Sequence, residues 1–90
     1  LIDGGEMAVR VRFAPQVAHL VGERSWHASQ QLTVASDGSV ELSLLASGET
    51  ELLAWLYSYV PHVEVLEPAS LRDAFRLGLQ QALKIAETDF

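Results

Sequence analysis

Two arginines, Arg10 and Arg12, stand two residues apart in the alternating stretch Met7 to Phe13. On a strand that spacing puts both guanidinium groups on one face, while Val9, Val11 and Phe13 take the other. The same parity gives Glu41 and Ser43 one face of a later strand and Glu64 one face of another. Gathered on an open sheet face, two arginines could hold an anion or a nucleic-acid backbone. The nearby carboxylates offer a plainer role, cross-strand Arg–Glu pairs, and they cancel the field that phosphate binding needs. The pattern favours the pairs and leaves the binding surface as the alternative.

A second group lies in the loop Glu23 to Ala28, where Arg24, Trp26 and His27 cluster. An aromatic beside a cation can form a ligand-binding edge; Trp26 can equally fold back as a lid on a small core. A third group, Trp55, Tyr57 and Tyr59, falls within the apolar run Leu52 to Val60. Tyr57 and Tyr59 cannot both share the helical face of Leu52 and Leu56, so spare aromatic surface is expected there, as at a protein–protein interface. Catalysis finds little support. There is no G-x-S-x-G turn, and the chain has neither Cys nor Asn. His19, His27 and His62 lack metal-ligand spacing, so neither a metal nor a cofactor is expected.

These residues need elements to position them. Met7 to Phe13 reads as strand one. Pro15 to Gly22 reads as a short helix, with Pro15 in its first turn, Gly22 as its cap and Val17, Leu20 and Val21 on one face. Gln30 to Ala35 reads as strand two, with Leu32 and Val34 on one face. Asp37-Gly38 signals a hairpin into strand three, Val40 to Ala46, whose Val40, Leu42, Leu44 and Ala46 face inward. Ser47 is expected to cap a second helix that Pro61 ends. Val63 and Val65 make a short fourth strand, and Pro68 starts a third helix with an apolar stripe from Leu71 to Ala86. The order β-α-β-β-α-β plus a C-terminal helix predicts an α/β (α+β) fold: a ferredoxin-like βαββαβ sandwich with a four-stranded antiparallel sheet. The expected layout is a linker at 1–7, the domain at 8–86 and a tail at 87–90.

The 90 residues carry a net charge of −6, with 49% hydrophobic residues, which suits one small globular domain. Residues 1–45 hold three cations and five acids; residues 46–90 hold three and seven. Such a chain is a poor stand-alone binder of phosphate backbones, although an arginine-bearing edge could complete a neighbour's site. The longest apolar run is too short to span a membrane, Asp3 and Glu6 occupy the place of a basic leader region, and the lack of Cys fits a cytoplasmic protein. No membrane partner is expected. Because the chain begins with Leu1, it reads as part of a longer protein.

Three stretches in order resemble one family: Val9-Arg10-Val11-Arg12-Phe13-Ala14-Pro15; Trp26 to Gln30 as W-x-x-S-Q; and Leu66 to Arg72 as L-E-P-x-x-L-R. Together they resemble the C-terminal extension (WCX) that follows the WYL domain in bacterial WYL-type transcriptional regulators. Val60 stands where that family often has glycine. The Trp55-Leu56-Tyr57 triplet is not the signature for which the WYL domain is named. The resemblance implies a non-catalytic regulatory module that helps dimerise a regulator and assists effector sensing by the upstream WYL domain of the same chain. It implies a homodimer in the full protein, and DNA contact only through a separate N-terminal domain. Carried over by position, Ser29 and Gln30 join Arg10, Arg12, Arg24, Trp26 and His27 as candidate ligand-binding residues. Glu67 and Pro68 start the last helix, Leu71 packs, and Arg72 reaches for a carboxylate. The alternative is a ferredoxin-like small-molecule-binding domain attached to an enzyme.

Overall fold

The alternation of Met7–Phe13 becomes a central strand. In the computed structural model, which describes residues 7–21 and 30–87, this strand, β1 (Met7–Phe13), buries Val9, Val11 and Phe13 completely or nearly so. A single 3₁₀ turn, Pro15–Val17, runs into the one-turn helix α1 (Ala18–Val21). The remaining elements are β2 (Gln31–Val34), β3 (Val40–Ala46), α2 (Glu49–Tyr57), β4 (Val63–Glu67) and α3 (Ala69–Ala86). The sheet order is β2-β3-β1-β4 with every neighbouring pair antiparallel. That is the split βαβ, ferredoxin-like arrangement, with α3 added at its end.

The core lies on one face of the sheet. Val9, Val11 and Phe13 of β1, Leu42 and Leu44 of β3 and Val65 of β4 meet Leu52, Trp55 and Leu56 of α2 and Leu71 and Phe75 of α3. Residues 52, 55 and 56 follow helical spacing, so α2 presents one apolar stripe to the sheet. Phe13 sits edge-on to Trp55, with ring centroids 5.6 Å apart, and to Tyr59 at 5.2 Å. The hairpin forms as Asp37-Gly38 predicts. Gly38 has φ of 91°, a conformation that disfavours any side chain, and its N–H donates to the Ala35 carbonyl. Asp37 Oδ1 accepts from both the N–H (2.9 Å) and the hydroxyl (2.6 Å) of Ser39.

Two local expectations are corrected, and two shared faces form but stay partly uncovered. The first helix begins as 3₁₀, which advances 120° per residue rather than 100°; Val21 is buried and Val17 packs on the core, but Leu20 turns outward. Gly22, its expected cap, lies outside the described residues. Gly48, not Ser47, occupies the cap of α2, and its carbonyl accepts the Leu52 N–H. Strand β2 shows Leu32 and Val34 on the core-side face, opposite Leu42 and Val40, yet both are exposed. The stripe of α3 is buried only at Leu71 and Phe75, while Ala82, Leu83 and Ala86 are exposed. Length explains the last point. Eighteen helical residues span about 27 Å, whereas the five residues of β4 span about 17 Å, so the helix outruns the sheet that covers it.

Candidate functional site: the open sheet face

The face of the sheet opposite the helices carries the predicted arginines. Antiparallel register places Arg10 opposite Ser43, itself opposite Gln31, and Arg12 opposite Glu41, itself opposite Thr33. On the other side Arg12 faces Glu64. Simple alternation would send Glu67, three residues beyond Glu64, to the core face. A bulge prevents this: Val11 pairs with Val65 but Arg10 pairs with Glu67, so Leu66 is the extra residue that resets the parity of β4. The bulge thereby brings a third carboxylate onto the open face.

The arginines spend their charge inside the domain. Arg10 Nη2 lies 2.8 Å from Glu41 Oε2, Nε donates to the same oxygen at 2.9 Å, and Nη1 reaches Glu67 Oε1 at 3.4 Å. Arg12 Nη1 lies 3.5 Å from Glu64 Oε1. The hydrogen bond that Arg10 donates to Glu41, then the charge of Glu41, then Glu67, hold the Arg10 guanidinium still more firmly in its charged form. Both side chains are largely solvated, so these pairs add little stability. Their electrostatic effect is larger: two cations face three carboxylates, and an incoming anion would have to compete with them. The pairing reading of Arg10 and Arg12 is the one this geometry realises. Beside them a shallow groove of about 300 Å³ is lined by Ala8, Arg10, Gln31, Ser43, Leu45 and Glu67, among others. Gln30, half-buried, immediately precedes β2. Arg24, Trp26, His27 and Ser29 lie outside the described residues.

The three aromatic residues expected at an interface close the domain's own core. Trp55 is buried against Phe13 and, edge-on at 5.4 Å, against Tyr59. Tyr57 stacks on Phe75 at 4.9 Å with a 12° interplanar angle, and its hydroxyl donates toward the α3 carbonyls of Phe75 (3.2 Å) and Ala74 (3.4 Å). Tyr57 points sideways toward α3 and Tyr59 lies in the turn after α2, which is how both escape the single stripe that the spacing assumed. The exposed apolar side chains are aliphatic instead: Leu32, Val34, Leu77, Leu83 and Ile85 among them. Two features escaped the sequence reading. One is Glu67, hidden by the bulge. The other is Gly78, whose lack of a side chain leaves room for the Tyr57 hydroxyl. Arg72, expected to reach a carboxylate, is exposed and has no ion-pair partner among the described residues.

Among the described residues no group of three or more His, Asp or Glu could hold a metal ion. No described helix is long and apolar enough to cross a membrane. No curated protein shows significant similarity to the chain. The family model of the WCX domain matches residues 5–83, from the approach to β1 into the fourth turn of α3. That span contains the paired arginines of β1, the bulged β4 and the L-E-P-x-x-L-R junction. The chain belongs to the WCX domain family.

Proposed function

We propose that this domain is a non-catalytic regulatory module that follows the WYL domain of a bacterial transcriptional regulator. It contributes to dimerisation and to the WYL domain's response to its effector. WCX domains are found in WYL-type regulators, and the match over residues 5–83 is the observation that carries the reading. The open face supports it from a second direction. Arg10 and Arg12 are engaged by Glu41, Glu67 and Glu64, so the domain contributes a mixed-charge contact surface rather than a free anion site. DNA is contacted by a separate N-terminal domain.

The test compares the full regulator with a version lacking residues 8–86. Operator affinity is measured with and without effector. The reading expects the truncated protein to bind its operator more weakly, because dimerisation that helps hold both half-sites is lost, and to lose the effector-induced change. An undiminished effector response without this domain would contradict it.

A further inference from the structure

The two edges of the sheet are built differently. Strand β4 is guarded: it is bulged at Leu66 and carries Glu64 and Glu67. Bulges and charges are devices that stop an edge from pairing with another chain. Strand β2 has neither. Its four residues, Gln31-Leu32-Thr33-Val34, are uncharged and all exposed, with Leu32 at 42% and Val34 at 72%. No strand pairs with its outer edge among the described residues.

The edge is also self-complementary. Ala35 N–H donates to the Ser39 carbonyl across the hairpin, which fixes the hydrogen-bonding alternation along β2. Thr33 therefore turns its backbone groups toward Glu41 of β3, and Leu32 and Val34 turn theirs outward. In an antiparallel pair of two β2 strands centred on Thr33, Leu32 meets Val34 of the second copy in a hydrogen-bonded pair, twice. Thr33 meets Thr33, and Gln31 meets Ala35. The exposed Leu and Val, stranded on the core-side face, then cover one another. Charge favours the same surface. Each copy carries −6, while residues 30–36 carry no charge at all, so two like-charged copies can meet there without opposing carboxylates.

We propose that the outer edge of β2 pairs antiparallel with β2 of a second copy of this chain, centred on Thr33, joining two four-stranded sheets into one of eight strands. The contact is isologous, as a two-fold dimer requires. The proposal rests on the dimerising part of the function proposed above, and it names the surface responsible.

Single cysteines test it, because the chain has none of its own. In the centred register the two Thr33 residues form a non-hydrogen-bonded pair, with Cα atoms about 4.5 Å apart, within disulfide range. Under mild oxidation of the folded chain, Thr33→Cys should cross-link at least about tenfold faster than Glu64→Cys on the guarded edge, since a dimer holds its thiols at millimolar effective concentration. A second pair of variants checks the register. Val34→Glu and Leu32→Lys should each lose association alone and regain it when mixed, because only the heterodimer sets the introduced ammonium of one copy against the introduced carboxylate of the other. Sedimentation of the unmodified chain separates the failures. A dimer whose Thr33→Cys form cross-links no faster than Glu64→Cys overturns this surface and leaves dimerisation standing. A monomer with equally slow cross-linking overturns both. Faster cross-linking through Leu32→Cys than through Thr33→Cys overturns the centring on Thr33.

Discussion

Gly78→Ala should destabilise this domain, although the same change in an ordinary exposed helix stabilises it. Replacing glycine within a helix by alanine normally contributes about 0.8–1.0 kcal/mol. Here a Cβ on residue 78 would collide with Tyr57 Oη and stand 2.7 Å from Cζ. The ring must therefore leave its place on Phe75. Overpacking of this kind costs about 1–3 kcal/mol, and the lost stack about 0.5–1.5 kcal/mol more. Set against the helix gain, the net is a loss of roughly 0.5–3.5 kcal/mol. The sign should invert when Tyr57 is first shortened. In a Tyr57→Leu background the colliding atoms are gone, and Gly78→Ala should stabilise by about 1 kcal/mol. Urea unfolding followed by tryptophan fluorescence reads both, with the slope m checked for constancy across variants. A double-mutant cycle then gives the coupling directly. If Gly78→Ala is neutral or stabilising with Tyr57 present, or has the same sign in both backgrounds, the packing of α2 on α3 described here is wrong.

Two further outcomes follow from the fold. Asp37, hydrogen-bonded to the hydroxyl and then the N–H of Ser39, has its carboxyl pKa held below the ordinary 3.8. A depressed pKa means the stabilisation is present above the ordinary value and lost as pH falls through the folded one; Asp37→Asn should therefore flatten the stability–pH curve below about pH 4, and equal slopes in the two proteins would count against the hairpin contacts. Phe13→Ala removes a side chain with no exposure that two other rings pack against edge-on; it should cost about 3–5 kcal/mol by denaturant unfolding, and a loss under about 1 kcal/mol would place the core elsewhere.

The sheet was legible because alternation is a local signal. The four strands, the Asp37-Gly38 turn and the shared face of Arg10, Arg12, Glu41, Ser43 and Glu64 all follow from a period of two and a turn dipeptide. Glu67 was not legible, because a bulge inserts one residue without marking it in the pattern, and every side chain beyond it changes face. The C-terminal half of α3 misled for a different reason. Its stripe continues from Phe75 through Ala82 to Ala86, but periodicity records which residues align and not whether anything covers them. The tyrosines show the reverse. Tyr57 lies off the stripe of Leu52 and Leu56, yet it packs, because a neighbouring helix presents Phe75 and a glycine to it. The resemblance to WYL-associated domains supplied the functional class, which composition and spacing alone did not reach.

On the function proposed above, this domain works through contacts with protein and does not bind nucleic acid by itself, Arg10 and Arg12 being held by Glu41, Glu67 and Glu64. Titration of a labelled single-stranded oligonucleotide with the 90-residue chain at physiological salt tests this most directly. The expected result is no saturation below about 100 μM, the weak end of non-specific binding. Saturable micromolar binding that weakens steeply with added salt and disappears in Arg10→Ala or Arg12→Ala would contradict it.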